Sequence, residues 1–570
     1  MGGIDDRVSA GVDPAAPDVG NVSPGVGMAP ELTEEILAAA ESEKVAVAEA
    51  QAAKVAPGPG GKHIDFKQLA QDLHDNYAGD ARRYVERFQG KLLFDNSDEQ
   101  WYRHNCTRWM PDKKRDHLRS VGDLAPDYEH QATYWWKQAA EAANQKAPKG
   151  EVKQVQDRAK KYAARAERMK DPSHMKKVLT LASAGEGSLG ISGEEWNKHP
   201  SLFACKNCIL DLETGKARDP DPNLFINQAS AVEWRGLNQE SPDWDAFLSQ
   251  IFLGDDELID YIQTCVGYWL TGLTTIQEFW TLFGPMGRNG KGVFFRTIRA
   301  IMGEYYASIP SAMLTESKMT QGSGPSPEMV SLRFARLVVA SEASKRSRIS
   351  EDALKTYTGG DPISCRSMYS NTILEFIPIL KILFAFNRIP QMDGSDTAFR
   401  SRLNVIPFRS HFTADKSRWS DEDHIYPLDP MLELRIHTPD ILSQILSWAV
   451  RGAVRFFREG APQKPDIVQS ETNEAMDEMD PVGEFMAQCL IVTKGDDKYN
   501  RTQASAVYDS FVKWCKDEKR LSDKYIKSMT VFGGDFKNRQ EIHVVPPKNV
   551  RTYNVTIKPE WVADILSDKD

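Results

Sequence analysis

Cysteine is scarce in this chain, with seven residues among 570. A sparse, odd set excludes a disulfide scaffold and fits a reduced compartment. Cys205 and Cys208 form a C-x-x-C with no second pair at zinc spacing, so no structural zinc is expected. Long apolar runs are also missing. The most apolar stretch, Ile373 to Phe386, is interrupted by Glu375, Pro378 and Lys381. Nothing approaches the roughly 18 uncharged apolar residues of a membrane helix. The N-terminal MGGIDDRVSAG has acids where a secretory leader has cations, and it lacks an apolar core. A cytoplasmic location without membrane contact is therefore expected. The 11 histidines include no H-E-x-x-H pair. Basic excess is absent too: 71 Lys+Arg against 81 Asp+Glu leave a net charge of −10. That argues against a surface coated in nucleic-acid contacts and leaves room for a local basic channel. Residues 1–62 are short of aromatics and rich in Ala, Gly, Pro and Val. Such a segment cannot bury enough apolar surface to offset its ordering entropy, and reads as a disordered Ala/Gly/Pro-rich tail.

What is present is globular. Apolar residues make up 41%, and at roughly 100–200 residues per domain the length suggests three or four domains. Trp101-Tyr102-Arg103 and Thr107-Arg108-Trp109 flank a polar turn and read as a hairpin. Residues 129–170 have helix composition, broken at Pro148-Lys149-Gly150. A second hairpin is read over Ile209–Gly215. Trp244 to Gly272 carries apolar residues at helical spacing, enough for two helices. Phe279–Phe283, Arg336–Ala340 and Ile379–Phe386 read as buried strands, with a helix through Phe294, Ile298, Ile301 and Met302 after the first. Strands alternating with helices imply an α/β core around a mostly parallel, covered sheet. Thr438-Pro439-Asp440 opens a further helix.

Four smaller features carry weaker expectations. Asp219/Asp221 and Asp243/Asp245 read D-x-D, but their Pro and Trp neighbours and loop settings make them poor metal-site candidates. The Trp135-Trp136 pair is expected to pack. The charged helix near 150–170 reads as a solvated face or a subunit contact. Near the C-terminus a helix at Ala504–Trp514 and another around Ile526–Phe532 precede two strands, Ile542–Val545 and Tyr553–Ile557. That order is winged-helix-like, and Lys524, Lys527, Lys537, Arg539, Lys548 and Arg551 then either meet a DNA backbone or belong to a module that only braces.

The strongest motif is Gly284-Pro285-Met286-Gly287-Arg288-Asn289-Gly290-Lys291-Gly292-Val293. A strand, a glycine-rich turn and a helix place backbone N–H groups around an anion at a helix N-terminus, with Lys291 reaching the terminal phosphates. The loop departs twice from G-x-x-x-x-G-K-[ST]. Gly284 sits one residue early, with Pro285 at the first-Gly position. Gly292 replaces the Ser/Thr whose hydroxyl ordinarily touches Mg²⁺. A glycine-rich surface turn is the plain alternative, and the flanking strand and helix argue against it.

Phosphoryl transfer also needs an acid at a neighbouring strand end, for Mg²⁺ or for the attacking water. Leu337-Val338-Val339-Ala340-Ser341-Glu342 offers Glu342, or simply an exposed strand-end acid. Asn387 follows the next strand and either orients water or starts a turn before Ile389-Pro390. Arg400 and Arg402 alternate along an extended segment. One of them can stabilise transition-state charge across a subunit interface, or both form a basic edge. Lys355 to Asn371 combines cations, a Gly-Gly-Asp turn and Tyr369 near a hairpin tip. Cations contact phosphates and Tyr369 can pack on a sugar or base; a solvated loop is the alternative.

In this order the motifs resemble the superfamily 3 helicase domain of the phage and plasmid primase-helicases, a family similar in turn to the poxvirus uncoating-type NTPases. The resemblance covers most of residues 64–570. It rests on CKNCILDLETGK, with Cys208 where the family has Gly, and then on GYWLTGLTT, GRNGKGVF, MGEYYASIP, LVVASEAS, KTYTGGDPISCR, FNRIP and FRSRLNVIPF. It implies an AAA+-like P-loop ATPase core at 277–415. An α+β N-terminal domain (63–240) and a helical collar (241–276) precede it; a helical extension (416–480) and a winged-helix-like domain (481–570) follow. Implied too are ATP and Mg²⁺ at the interfaces of a hexameric ring, translocation on single-stranded or forked DNA, and a separate primase or initiator partner, since no primase domain is expected here. Residue by residue, Lys291 is the phosphate lysine within a cradle of Gly284, Gly287, Arg288, Asn289, Gly290, Gly292 and Val293. Glu342 is the Walker B acid and metal residue, and Asn387 the sensor. Arg402, then Arg400, is the arginine finger. Lys355, Arg366, Met368 and Tyr369 match the pore. The expected function is a replicative DNA helicase of a phage, plasmid or other mobile element, in the host cytoplasm if a phage encodes it. A nucleotide-binding ring or DNA-binding structural protein with little turnover, and a viral uncoating or packaging NTPase, are the competing readings.

Overall fold

The apolar strands of the middle of the chain bury both their faces. A computed structural model of the protein describes residues 65–284, 286–314, 327–340, 350–366, 373–386, 401–493, 501–523, 526–539, 541–545 and 551–562. The tail read over 1–62 lies outside them. The described chain divides into two compact units, residues 65–83 with 122–174, and the remainder.

In the first unit, α1 (Phe66–His74) is capped by Asp65, whose carboxylate accepts from the N–H groups of Lys67 and Gln68. After it come α2 (Tyr77–Phe88), α3 (Ala125–Asn144), α4 (Lys149–Arg168) and the start of α5 (Pro172–Ala182). The helix break read near residue 148 is the α3–α4 link. The charged face expected of α4 is only one side of it, because Ala159, Tyr162, Arg165 and Ala166 are buried. Asp80 gathers three donors in this interior: Tyr128 Oη at 2.6 Å, Arg165 Nη1 at 2.8 Å and His174 Nε2 at 2.9 Å. Trp135 packs beneath Arg158, but Trp136 is exposed at 42%, so only half of that pair behaves as expected.

The second unit opens with β1 (Leu92–Asp95), β2 (Gln100–His104), β3 (Trp109–Pro111) and β4 (Gly190–Ile191) in the order β3-β2-β1-β4. A meander of β5 (Leu202–Ala204), β6 (Ile209–Asp211) and β7 (Lys216–Arg218) follows. Both hairpins read from the sequence are here. Next are α6 (Pro242–Ile251) and α7 (Asp256–Leu270), the latter capped by Asp255. Asp243 and Asp245 stand in the first turn of α6, not in a loop.

The central sheet contains β8 (Phe279–Phe283), β9 (Tyr306–Ile309), β10 (Leu337–Ala340), β13 (Lys381–Phe386) and β14 (Leu403–Pro407), all parallel, in the order β14-β8-β13-β10-β9. α8 (Lys291–Met302) follows β8, and α9 (Glu351–Gly359) with the hairpin β11 (Ile363–Arg366) and β12 (Ile373–Phe376) separates β10 from β13. Alternate residues go to opposite faces. Trp280, Leu282, Leu337, Val339, Leu383 and Ile406 join Trp244, Trp269 and Phe294 in one apolar cluster. Phe279, Val338, Ala340, Ile382, Phe384, Leu403 and Val405 join Leu354 and Tyr357 in the other. Burial on both faces is why these strands read as continuous apolar runs.

Beyond the sheet are the short pair β15 (His411–Thr413) and β16 (Ile425–Pro427), α10 (Leu432–Ile436), α11 (Pro439–Glu459) and α12 (Asp466–Met479). α7 and α11 cross in backbone contact. A Cβ on Gly267 would lie 2.0 Å from Ala453 N, and one on Gly452 only 1.9 Å from Gln263 O. Gly452→Ala is therefore expected to destabilise by about 3 kcal/mol, the upper end of overpacking costs, because the obstacle is backbone and cannot rotate away. A urea midpoint shift measures it.

The last segment holds α13 (Pro481–Cys489), β17 (Leu490–Val492), β18 (Thr502–Gln503), α14 (Ala504–Asp517), α15 (Met529–Lys537), β19 (Val544–Val545), β20 (Thr552–Tyr553) and β21 (Val555–Ile557). Its own core stacks Phe485, Phe511, Trp514 and Phe532. Among the described residues no helix is long and apolar enough to cross a membrane.

Candidate nucleotide site

The loop from Gly284 to Gly290 joins β8 to α8 at the carboxyl end of the sheet, where parallel α/β sheets bind ligands. Pro285 lies outside the described residues. Two glycines are dictated by space. A Cβ at Gly284 would lie 2.1 Å from Asn289 Nδ2 and 2.7 Å from Phe408 O. Gly290 precedes α8 at φ +86°, and a Cβ there would lie 2.5 Å from Ile251 Cγ2. β15 pins the loop from outside: Phe412 N donates to Arg288 O at 2.8 Å, and His411 Nδ1 lies 3.0 Å from Gly287 O. Inside it, buried Asn289 donates through Nδ2 to Met286 O at 2.8 Å.

Lys291, at the first turn of α8, is only 8% exposed and its Nζ donates to Gly284 O at 3.1 Å. The ammonium thus lies in the crook of the loop. Gly290 has no side chain to cap α8, so the positive end of the helix faces the same space. Beside it is a cavity of about 310 Å³. Phe247, Val293, Phe412, Leu428 and Leu432 give it apolar walls, and Gln250, Arg288, Asn289, Arg296 and Asp429 line its polar side, the Asp429 carboxylate being paired with Arg435. A cationic cradle against an apolar slot suits a ligand with phosphates at one end and a flat ring at the other.

The described residues of the loop offer a magnesium ion no side-chain hydroxyl. Gly292 supplies no hydroxyl, and a Cβ there would lie 3.0 Å from Arg296 Nη1. That guanidinium is held by Glu433, with Nη2 2.8 Å from Oε2. A guanidinium has no lone pair to offer a metal. Among the described residues no group of three or more His, Cys, Asp or Glu could hold a metal ion.

Glu342, Asn387, Arg400, Met368 and Tyr369 lie outside the described residues. The strands leading to two of them end near the loop: β13 reaches Phe386 in register with Phe283, and β10 ends at Ala340, opposite Phe384. Lys355 belongs to α9, and Arg366 ends β11, half-buried and opposite Ile373. Arg402 stands elsewhere. It precedes β14, whose Leu403 pairs with Phe279 and whose Pro407 pairs with Phe283. Five residues at about 3.3 Å each separate it from the loop's end of the sheet, roughly 16 Å. There it donates to Thr358 Oγ1 at 3.0 Å and Gln277 Oε1 at 3.2 Å. Within one protomer it does not share a site with Lys291.

Sequence reasoning missed Phe247, Phe412, Leu428 and Leu432. They come from three separated segments, and no spacing marks them.

Two segments of the chain match known families. Residues 81–253 match the D5 N terminal like family, and residues 282–402 match a family of unknown function, DUF5906. "Putative helicase L207/L206" of Acanthamoeba polyphaga mimivirus is 29% identical over 37% of this chain and 22% of its own length. "Putative helicase 121R" of Invertebrate iridescent virus 3 is 23% identical over 76% of this chain and 49% of its own. "Primase D5" of fowlpox virus is 27% identical over 29% of this chain and 21% of its own. The chain thus spans half or less of the length of these relatives. Among solved structures, the NrS-1 C-terminal region is similar at 12% identity and a TM-score of 0.32, over 60% of this chain and 82% of that one. The two matched segments and the relatives spanning them make this chain a D5-type primase-helicase family protein.

Proposed function

We propose that the chain is the ATP-hydrolysing motor of a replicative DNA helicase of a phage, plasmid or other mobile element, working in the cytoplasm as a hexameric ring on single-stranded DNA. The observation that supports this most is buried Lys291 folded into the glycine loop at the head of α8, next to an apolar slot of nucleotide size. In this reading the slot takes the base, and Lys291 with the first-turn N–H groups takes the β- and γ-phosphates. Glu342 orients the attacking water and Asn387 senses the γ-phosphate. Lys355, Arg366, Met368 and Tyr369 meet the DNA backbone with little sequence preference. No step is assigned to Mg²⁺.

Arg402 lies too far from its own loop to act there, which favours service to a neighbouring protomer. Mixing inactive Lys291→Ala and Arg402→Ala proteins is then expected to restore part of the ATPase activity, because some mixed interfaces hold one intact lysine and one intact arginine. If both residues served one protomer's site, no mixture would turn over. The wider reading is tested by ATPase assays with and without single-stranded DNA, and by strand displacement on a forked duplex. ATPase without displacement would favour an uncoating or packaging NTPase. One observation favours a weakly active nucleotide-binding ring: the guanidinium of Arg296 beside Gly292, where a metal-ligating hydroxyl would ordinarily stand.

A further inference from the structure

A second cavity, of about 610 Å³, lies away from the phosphate loop, on the segment that matches the D5 N terminal like family. Its lining carries Arg103, Arg108, Lys113 and Lys114 against a single carboxylate, Glu304. In a chain of net charge −10, that is a local reversal of sign. The one acid is already engaged: Glu304 Oε1 accepts from Arg108 Nη2 at 2.6 Å and Oε2 from Ala229 N at 3.1 Å. The acid nearest the lysines in sequence, Asp112, is buried and turned to His117, accepting from its N–H at 2.8 Å with the ring Nδ1 at 2.7 Å. Arg103, Lys113 and Lys114 are exposed and form no ion pair among the described residues.

The walls are rigid. Arg103 faces Met110 across the β2–β3 ladder. The hairpin is tied to the opposite wall by Trp109 N to Ile226 O at 2.8 Å and Trp109 Nε1 to Pro222 O at 2.9 Å. Asn227 in that wall is buried and fixed by Asn197 Nδ2 at 2.7 Å. The lining is cationic and polar, with no aromatic ring. Such a surface reads phosphates and not bases. A cavity of about 610 Å³ has room for a short stretch of one strand's backbone.

We infer that this groove is a second nucleic-acid contact, separate from any pore, that holds the phosphate backbone of a single DNA strand without sequence preference. Glu304 follows Gly303, the residue that closes α8, whose other end carries Lys291. The groove therefore touches the helix that begins at the phosphate loop.

The test uses the full chain without nucleotide, so its outcome does not depend on whether the chain hydrolyses ATP. A labelled 20-mer DNA strand is titrated by fluorescence anisotropy between 50 and 200 mM salt, with a matching duplex and inorganic phosphate alongside. Arg103→Glu/Lys113→Glu/Lys114→Glu is expected to lose at least about tenfold in strand affinity and about 2 units of the log–log salt slope, at 0.7 per phosphate contact. Lys113→Gln/Lys114→Gln, which only removes charge, is expected to lose about 1.4 units, and guards against a misfolded triple variant. Unchanged affinity and slope in both variants overturn the inference. So does a loss confined to the duplex, or competition by millimolar phosphate that leaves strand binding insensitive to the substitutions.

Discussion

Lys291→Ala is expected to lower ATP turnover by at least about 10²–10³, the loss of about 3–4 kcal/mol that follows removal of one preorganised electrostatic donor. The residue is buried in the crook of the loop, with Nζ donating to Gly284 O, whereas Arg288 and Arg296 line the adjoining cavity and Arg296 is already engaged by Glu433. Lys291→Arg is not expected to rescue. A planar guanidinium is larger than an ammonium and needs a different donor geometry, and the crook between Gly284 and the first turn of α8 holds a compact point charge. Phosphate release measured with and without single-stranded DNA provides the readout, with a fluorescent nucleotide titration to separate binding from turnover. Undiminished turnover in a folded Lys291→Ala protein removes the motor reading altogether.

Arg336→Met is expected to cost about 3–5 kcal/mol of stability, among the largest single-site losses. Arg336 immediately precedes β10 and is 2% exposed. Its Nη1 donates to Leu270 O at 2.5 Å and its Nη2 to Leu202 O at 2.7 Å, while the guanidinium lies 4.4 Å from the centre of the Tyr305 ring. Lys381, at the start of β13, is equally buried and donates to Thr271 O and, at 3.3 Å, to Leu273 O. These two basic side chains satisfy the carbonyls at the C-terminal end of α7 and bind it to the entry edge of the sheet. Methionine preserves much of the volume, so the loss reports bonds removed and carbonyls left unpaired. A urea midpoint within the error of wild type would show that water or a rearranged neighbour takes over both carbonyls.

The same pair has a pH signature. Burial, and then the positive charge of Arg336, hold the Lys381 amine well below its ordinary value of 10.5. The unfolded chain thus keeps this proton at pH values where the folded chain has lost it. Stability consequently rises with pH between the depressed folded value and the ordinary one. Arg336→Met removes the repelling charge and is expected to flatten that rise.

Much of the architecture was legible because the inner strands of the sheet bury both faces; the edge strand β9, with Ser308 exposed, carries no such run and escaped the reading. Phe279–Phe283 and Leu337–Ala340 stand out as mostly apolar runs, and the chain forms strands there. The loop was legible for a different reason: glycines clustered between an apolar strand and an amphipathic helix mark a tight strand-to-helix turn, and the chain forms one there. Three things were not legible. The apolar slot is assembled from Phe247, Phe412 and the Leu428–Leu432 segment, which only folding brings together. The buried cations Arg336 and Lys381 look like solvated strand-end residues in one dimension. The basic groove carries its four cations on one stretch, Arg103 to Lys114, but its opposite wall, Asn227, Gln228 and Glu304, comes from distant segments, within a composition that is acidic as a whole.

By itself, then, the order of residues determined the inner strands Phe279–Phe283, Leu337–Ala340 and Lys381–Phe386, where the glycine-rich loop falls, and which lysine opens the helix after it. Only the tertiary structure decided that Arg402 lies at the opposite end of the sheet from that lysine, that a guanidinium stands beside Gly292, and that positive charge collects on the β2–β3 hairpin. The physical reason is range. Periodicity and turn chemistry act over a few neighbouring residues and are written in consecutive letters, whereas a cavity or a field is a sum over side chains that meet only when distant segments pack.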